Sequence, residues 1–171
     1  MSHDSEVPVV SLEVSFAGAP PEGMVTPLCQ SLSELCGPLL GGDDDAASRL
    51  RLTAHELLEN VVKYSSGSCH FRFQLFKAGT GKARALLETS NVPAPTHRAE
   101  ADQRLAALCA APDPLEHYDS IIADSARRPA GSGLGLARIH AETEFRLSHR
   151  FEADRLLIAA AGEVRLKGGA P

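Results

Sequence analysis

The spacing of apolar residues along the chain switches between alternation and helical periodicity, and each switch predicts a new element. Alternation predicts strands at residues 9–16, 70–77, 83–89, 144–149 and 155–161. Helical spacing predicts helices at residues 22–40, 43–65 and 134–142. The aspartates at 43–45 are typical of an N-cap and a first helical turn, so they mark the start of the second helix.

The middle of the chain, residues 90–130, is interrupted by prolines. The pattern predicts two short helices there, at 98–110 and 114–126, and no strand. A turn is predicted at 66–68, and the residues after 164 are predicted to form a short frayed tail. Because paired strands alternate with groups of helices, we expect an α+β fold. It would be a two-layer sandwich in which helices cover one face of a mixed, mostly antiparallel sheet.

Composition indicates one ordinary globular domain spanning residues 1–171, since 43% of the residues are hydrophobic. The net charge of -5 argues against a nucleic-acid or anionic-membrane partner, because both select a basic surface. No apolar run reaches the ~20 residues of a spanning helix, and the N-terminus is unlike a signal peptide, so we expect a cytoplasmic protein. The four cysteines lack C-x-x-C spacing, which favours buried thiols over a zinc site.

One face of the second predicted helix carries a distinctive set of polar residues. At about 100° per residue, Glu56, Asn60 and Lys63 form a narrow stripe opposite the apolar arc. Asn60 offers an amide oxygen suited to Mg²⁺, Glu56 a base for a hydroxyl aligned on a terminal phosphate, and Lys63 a positive charge. The alternative is an ordinary solvated face with a Glu59–Lys63 ion pair, worth only about 0.3–0.5 kcal/mol.

Three glycines lead into the predicted helix at 134–142. Gly131, Gly133 and Gly135 let several backbone N–H groups converge at its positive end, where a phosphate can rest. A dinucleotide fingerprint is excluded because residue 136 is Leu and the preceding segment is not strand-like. A P-loop is excluded because the Gly-Lys pair at 81–82 lacks both the earlier glycine and the following Ser or Thr. The stripe and the glycines together predict a nucleotide site of another kind.

The Glu-x-x-x-Asn segment at 56–60 and the Gly-Ser-Gly-Leu-Gly-Leu segment at 131–136 resemble two motifs of the GHKL (Bergerat-fold) ATP-binding superfamily, the N box and the glycine box. That superfamily includes histidine-kinase catalytic domains and the anti-sigma-factor serine kinases. The resemblance covers about residues 43–161 and looks closest to SiaB-like bacterial protein kinases, which act on a small partner protein. It implies a Bergerat-type sandwich with a helical lid at about residues 92–130.

The resemblance also implies a set of ligands and roles. ATP and Mg²⁺ would be bound, with Glu56 as the general base and Asn60 as the Mg²⁺ ligand. The phosphates would be held by Lys63, Gly131, Gly133, Leu134, Gly135 and Leu136. The family's D-x-G-x-G box, which reads adenine, is replaced by a Ser-Asn-Val-Pro segment. There Asn91 either offers an acceptor oxygen to adenine or starts the turn before Pro93.

The activity implied by the resemblance is that of an ATP·Mg-dependent serine/threonine kinase of the partner-switching type. It would phosphorylate a small regulatory partner protein, and homodimers are frequent among the kinases that the chain resembles. The alternative is a catalytically weak or inactive module that regulates a partner by binding, which the altered adenine box favours. A third reading is an ATPase that acts without a partner.

Overall fold

Strand pairing builds one open sheet. This computed structural model describes residues 7–21, 23–41, 43–125 and 134–167, without the side chains of residues 97 and 125. The strands within these ranges are β1 Val10–Phe16, β2 Ser65–Lys77, β3 Lys82–Pro93, β4 Arg146–Glu152 and β5 Arg155–Arg165. They lie in the order β1-β2-β3-β5-β4, and each neighbouring pair is antiparallel.

The helices pack on one face of this sheet. They are α1 Val25–Leu40, α2 Asp44–Tyr64, α3 Arg98–Cys109, α4 Pro114–Ser125 and α5 Leu134–Glu142, with a short 3-10 turn at Pro95–His97. Inward-facing strand residues such as Phe73 and Leu87 form one core with Leu57 of α2 and Ile139 of α5. The predicted α+β sandwich is therefore confirmed. No helix in the described ranges is long and apolar enough to cross a membrane.

The predicted turn at 66–68 is wrong, because the chain passes from α2 into β2 without a loop. Ser65 directly follows α2 in extended conformation and pairs with Pro93. The ladder is irregular just after Ser65, which lets the strand absorb the change of direction. Ser66 Oγ donates to the carbonyl of Val92 at 2.9 Å. Since β3 runs on to Pro93, the expectation that the proline-interrupted region contains no strand is also wrong.

The C-terminal tail is held in place as far as Lys167, so the prediction of fraying after residue 164 is wrong for residues 165–167; residues 168–171 lie outside the described ranges. The N–H of Leu166 donates to the carbonyl of Gly81 at 2.9 Å, and the N–H of Lys167 donates to the carbonyl of Leu39 at 2.8 Å. Gly41, which ends α1, has φ +65°. A Cβ there would lie 2.6 Å from the Cβ of Lys167, so both the turn and the tail require glycine.

Arg155 bridges three strands on the face of the sheet that the helices leave open. Its guanidinium donates to Ser68 in β2, reaching Oγ at 2.9 Å and the carbonyl at 3.3 Å. It also donates to Ser90 in β3, reaching Oγ at 2.8 Å and the carbonyl at 3.2 Å. Because β3 lies between β2 and β5, this single side chain spans a whole strand and holds the irregular start of β2.

Replacing Arg155 by glutamine is expected to lower the free energy of unfolding by about 1.5–3 kcal/mol, because charge-assisted hydrogen bonds to two strands are lost. Arg150 of the same hairpin is a matched control. Within the described residues its hydrogen bonding is limited to an exposed ion pair with Glu152, 2.7 Å long, so Arg150→Gln should change stability by less than about 1 kcal/mol. Urea unfolding followed by circular dichroism measures both variants. Equal effects would contradict the bridging role of Arg155.

The expectation of buried thiols is confirmed for Cys29, Cys36 and Cys69, whereas Cys109 is half-buried. Burial raises the pKa of Cys29 and of Cys36 to about 11. Burial also raises the pKa of Cys69 and of Cys109. Because the thiolate is the reactive form, these cysteines are poor nucleophiles at neutral pH.

Candidate functional site

Helix α2 begins as the aspartate run predicts and carries the polar stripe on its outer side. Asp43 is the N-cap, and its Oδ1 accepts the N–H of Ala46 at 3.0 Å. The apolar side of the helix lies in the core. Thr53 belongs to that buried side, and its hydroxyl donates to the carbonyl of Arg49 at 2.8 Å. The residues left on the outer stripe in this half of the helix are Glu56, Asn60 and Lys63.

Glu56 and Asn60 are linked through the backbone of α2. Asn60 Nδ2 donates to the carbonyl oxygen of Glu56 at 2.7 Å. This hydrogen bond fixes the amide plane and turns Oδ1 away from that carbonyl. Both residues are half-buried, with the Glu56 side chain 16% exposed. A neutral oxygen and a carboxylate are therefore held one turn apart at the surface of the helix layer.

The first turn of α5 lies directly against the Glu56 side chain. A Cβ placed on Gly135 would overlap Glu56 Oε2 and lie 3.2 Å from Glu56 Cδ, so glycine is required for the close approach. Leu134 is the first residue of α5, and Leu136 is buried in the core, which anchors the helix at this point. Gly131 and Gly133 lie outside the described residues. The described part of the glycine-containing segment 131–136 thus meets the Glu56 carboxylate of α2.

Arg138 adds a guanidinium to the same contact. Its Nη1 lies 3.5 Å from Glu56 Oε1, and its Nε lies 3.1 and 3.0 Å from the two carboxylate oxygens of Glu142. The hydrogen bond to Glu142 raises the pKa of Arg138, and the negative charge of Glu56 adds to this effect. The sequence identifies Arg138 only as a basic residue near the glycines. Its contact with the site could have been anticipated from its position one turn after Gly135 on the same helix.

Lys63 does not form the surface ion pair that the alternative interpretation of the stripe requires. Both Glu59 and Lys63 are exposed, and within the described range that contains them no ion pair joins their side chains. The Lys63 ammonium lies instead 5.2 Å from the ring centroid of Tyr64. Lys63 therefore lies at the C-terminal end of the stripe, where its ammonium group makes a cation–π contact with Tyr64 instead of an ion pair with Glu59.

Asn91 lies inside β3 rather than in a turn before Pro93. Its partners in the ladder are Cys69 of β2 and Leu156 of β5. Its side chain is buried on the side of the strand that faces the helices, since Leu87 on the same side of β3 is in the core. Because Ser65 at the end of α2 pairs with Pro93, this end of β3 adjoins the C-terminal half of α2. A buried amide thus lies on the helix-facing side of the sheet, at the strand end that adjoins the C-terminus of α2.

The region expected to act as a lid is mainly helical. Helix α3 packs beside β4, with Leu105 and Leu108 buried. It is tied down by a hydrogen bond of 2.9 Å between His149 Nε2 and Asp102 Oδ1. Helix α4 packs against α5. The lid itself stays a prediction, and residues 126–133 lie outside the described ranges.

A metal at this site would depend on a ligand for most of its coordination. Among the described residues, no group of three or more His, Cys, Asp or Glu is arranged to hold a metal ion. A cation at Asn60 Oδ1 would complete its shell with phosphate and water oxygens, which is the usual mode for Mg²⁺. The donor set fits a Mg²⁺ ion shared with a nucleotide better than a structural metal.

Comparison with known proteins identifies the fold. No family model and no curated protein matches the chain. A chain in the crystal structure of the SiaB–SiaC complex from Pseudomonas aeruginosa is similar in structure, with a TM-score of 0.60 and 14% sequence identity. The match covers 87% of this chain and 88% of that chain. The two chains therefore share an α+β fold over nearly their whole lengths.

Proposed function

We propose that this chain binds Mg·ATP and transfers the terminal phosphoryl group to a serine or threonine hydroxyl of a small regulatory protein. The observation that carries the proposal is the contact between Gly135 and the Glu56 carboxylate. It joins the two motifs found in the sequence, because the helix that follows the glycines begins against a carboxylate one turn from Asn60. A phosphate at the start of α5 would lie next to a base.

Each residue of the site has a role that its surroundings support. Asn60 would ligate Mg²⁺ through Oδ1, since its Nδ2 is engaged by the Glu56 carbonyl. The start of α5 would bind phosphate oxygens through backbone N–H groups, together with Gly131 and Gly133. Glu56 would accept the proton of the acceptor hydroxyl as that oxygen bonds to phosphorus and ADP leaves. Lys63 would add positive charge at the other end of the stripe.

Asn91 is proposed to read adenine. Its amide is buried on the helix side of β3, at the end of the strand that adjoins α2. An amide offers both an acceptor and a donor, so it can pair with the edge of a base. Pro93 and Pro95 occupy the two positions where the family's adenine box has glycines. This part of the site would therefore bind adenine through a strand end rather than a flexible glycine loop.

The proposed partner protein and cellular compartment are based on the sequence resemblance and on the structural similarity described above. The structurally similar chain comes from a complex of two proteins, SiaB and SiaC, which supports a second protein as the natural partner here. We propose a small regulatory protein in a bacterial partner-switching pathway, in the cytoplasm, where Mg·ATP is available. Homodimerisation stays a prediction.

A second candidate function is a regulatory module that binds its partner without catalysis. The observation that favours it is the continuation of β3 to Pro93, which replaces the adenine box with strand. In this alternative the Arg138–Glu56 ion pair is permanent, and the contact between α2 and α5 is structural.

Calorimetric titration with ATP, with and without Mg²⁺, followed by a transfer assay, separates these functions. We expect Mg²⁺ to tighten ATP binding and [γ-³²P]ATP to label a protein that co-purifies with the tagged chain. ATP binding without labelling of any co-purifying protein would contradict the kinase and favour the binding module. No ATP binding would contradict both the nucleotide site and the kinase.

Replacing Gly135 by alanine is expected to reduce phosphoryl transfer by about 100-fold while leaving the fold intact. The added Cβ would displace the Glu56 carboxylate, and misplacement of a catalytic group by about 1 Å can cost that much. Alanine favours helix over glycine, and the displaced carboxylate is the end of a flexible side chain, so the melting temperature should not fall. Transfer rates and thermal melts measure the two effects. Loss of stability would contradict this account, and so would transfer at the wild-type rate.

A further inference from the structure

One end of the open face of the sheet is basic, although the chain has a net charge of -5. Strand register and alternation place four exposed basic side chains of β3, β4 and β5 there, and we call them the basic corner: Lys82, Arg84, Arg146 and Arg165. Among the described residues, Glu163 is the one carboxylate that shares this end of the face. Positive charge is therefore in excess at the basic corner.

The remainder of the open face is balanced in charge. Its ion pairs join an arginine to a glutamate at 3.0 Å and at 2.7 Å. Its charged residues are three arginines and three glutamates, namely Arg72, Arg150, Arg155, Glu13, Glu88 and Glu152. Glu144 lies two residues before Arg146, but its carboxylate reaches Arg49 of α2 at 2.9 Å. The excess positive charge of the face is thus confined to the basic corner.

Two members of the basic corner lie directly opposite each other. Lys82 of β3 and Arg165 of β5 are partners in the ladder, and like charges in such positions destabilise a sheet. Lys82 Nζ has Glu163 Oε2 at 3.5 Å, whereas the side chains of Arg146 and Arg165 have no ion pair or hydrogen bond within the described ranges. The stability of the sheet does not account for this arrangement, which an external anion would relieve.

An apolar strip, formed by Val9 and Phe76, adjoins the basic corner. Val9 is exposed, and its N–H donates to the carbonyl of Leu75 at 2.8 Å, so it extends the β1–β2 ladder next to Phe76. The guanidinium carbon of Arg84 lies 4.5 Å from the centroid of the Phe76 ring. From Val9 to Arg146 the surface crosses four strand spacings, about 19 Å.

These features favour an acidic segment of another protein over a nucleic acid. Val9 and Phe76 offer apolar contacts, which a segment that carries both apolar and acidic side chains can use. A phosphate backbone is bound along an extended basic track, but the balanced remainder of the face does not continue the basic corner. Opposite charges across an interface also fix the register of the two partners.

We propose that the basic corner and the apolar strip bind an acidic segment of a partner protein. Carboxylates of the segment pair with Arg146 and Arg165, and an apolar side chain packs against Val9. This inference goes beyond the proposed function, because the surface is remote from the nucleotide site. Lys82 and Asn91 lie near opposite ends of β3, about 30 Å apart, and Asn91 faces the helices. Binding at the basic corner therefore requires neither nucleotide nor phosphoryl transfer.

The test uses two short synthetic peptides, one of alternating glutamate and leucine and one with lysine in place of every glutamate. The ¹⁵N-labelled chain is titrated with each by NMR, without nucleotide. We expect the glutamate peptide alone to bind and to shift the amide resonances of Val9, Arg84 and Arg165. R165E should weaken that binding by at least about tenfold. Its melting temperature should not fall, because the new carboxylate faces Lys82.

R51E is the matched control, since it makes the same charge change at an exposed arginine of α2. It should bind the glutamate peptide as the wild type does. Equal effects of R165E and R51E would overturn the assignment, and so would no binding of this peptide or shifts that map outside the basic corner and the apolar strip.

Two further measurements exclude other occupants. A single-stranded oligonucleotide that displaced the peptide, and that R165E weakened equally, would make the surface a general polyanion site and overturn the assignment to a protein. Concentration-dependent shifts of the same amides without peptide would assign the surface to a second copy of the chain, with the same consequence. Because nucleotide is absent throughout, failure of the proposed kinase leaves this result unchanged, and the two proposals fail in distinguishable ways.

Discussion

Replacing Asn60 by alanine is expected to remove the Mg²⁺-dependent part of ATP binding. The Asn60 Nδ2 is held by the Glu56 carbonyl at 2.7 Å, which leaves Oδ1 for a cation, and alanine supplies no oxygen in its place. We expect the Kd for ATP in the presence of Mg²⁺ to rise by about 100-fold, equivalent to about 2.7 kcal/mol. The weaker affinity measured in EDTA should stay unchanged. Calorimetric titration under both conditions gives the two values.

Asn91→Ala provides the matched control for this result. It removes an amide of the same kind from the proposed adenine end, where no metal is involved. Its effect on ATP affinity, about tenfold, should therefore be the same with and without Mg²⁺. If Asn60→Ala instead lowered affinity equally under both conditions, Asn60 would not be a metal ligand.

Replacing Glu56 by glutamine is expected to lower the rate of phosphoryl transfer by about 10²–10⁴-fold, the usual range for loss of a general base. Glutamine has nearly the same shape, so the contact with Gly135 is kept while the proton acceptor is lost. The Kd for ATP should change by less than about threefold, because Glu56 is not proposed to bind the nucleotide. Single-turnover transfer from labelled ATP and a separate binding titration measure the two quantities.

Glu59→Gln removes a carboxylate of the same helix that points away from the stripe and is exposed. It should leave both transfer and ATP binding unchanged. Transfer at the wild-type rate in Glu56→Gln would rule out Glu56 as the base. Regulation of the partner by that variant without any transfer would favour the binding module.

Periodicity was enough to predict the fold class, because in a long amphipathic segment the local spacing of apolar residues distinguishes helix from strand. Helix α5 ends where the pattern places it, at Glu142, and is helical from Leu134, the first residue of that described range. The errors fall where distant partners override local signals. Gly67 and its flanking serines have the composition of a turn, yet they lie in β2 because the Val92 carbonyl and the Arg155 guanidinium hold them there.

The candidate site was predictable in its residue types but not in its contacts. Glu56 and Asn60 could be placed on one stripe because helical spacing fixes their relation. The contact between Glu56 and Gly135 could not be predicted, since it depends on how two helices far apart in sequence pack on the same sheet. The same holds for the contact of Arg138 with Glu56 of α2, whereas the pair of Arg138 with Glu142 is an i,i+4 pair that helical spacing indicates. The position of Asn91 within β3 could not be predicted, because the prolines that follow it are typical of a turn.

Because α2 passes directly into β2, the helix has little freedom to move relative to the sheet at the candidate site. Asn60 and Asn91 belong to segments joined by the pairing of Ser65 with Pro93, only a few residues from either amide. Helix α2 therefore cannot rotate or slide by a fraction of a turn unless the first rungs of the β2–β3 ladder break. The relative position of the two amides is therefore set by the sheet, and any adjustment to a ligand has to come from α5.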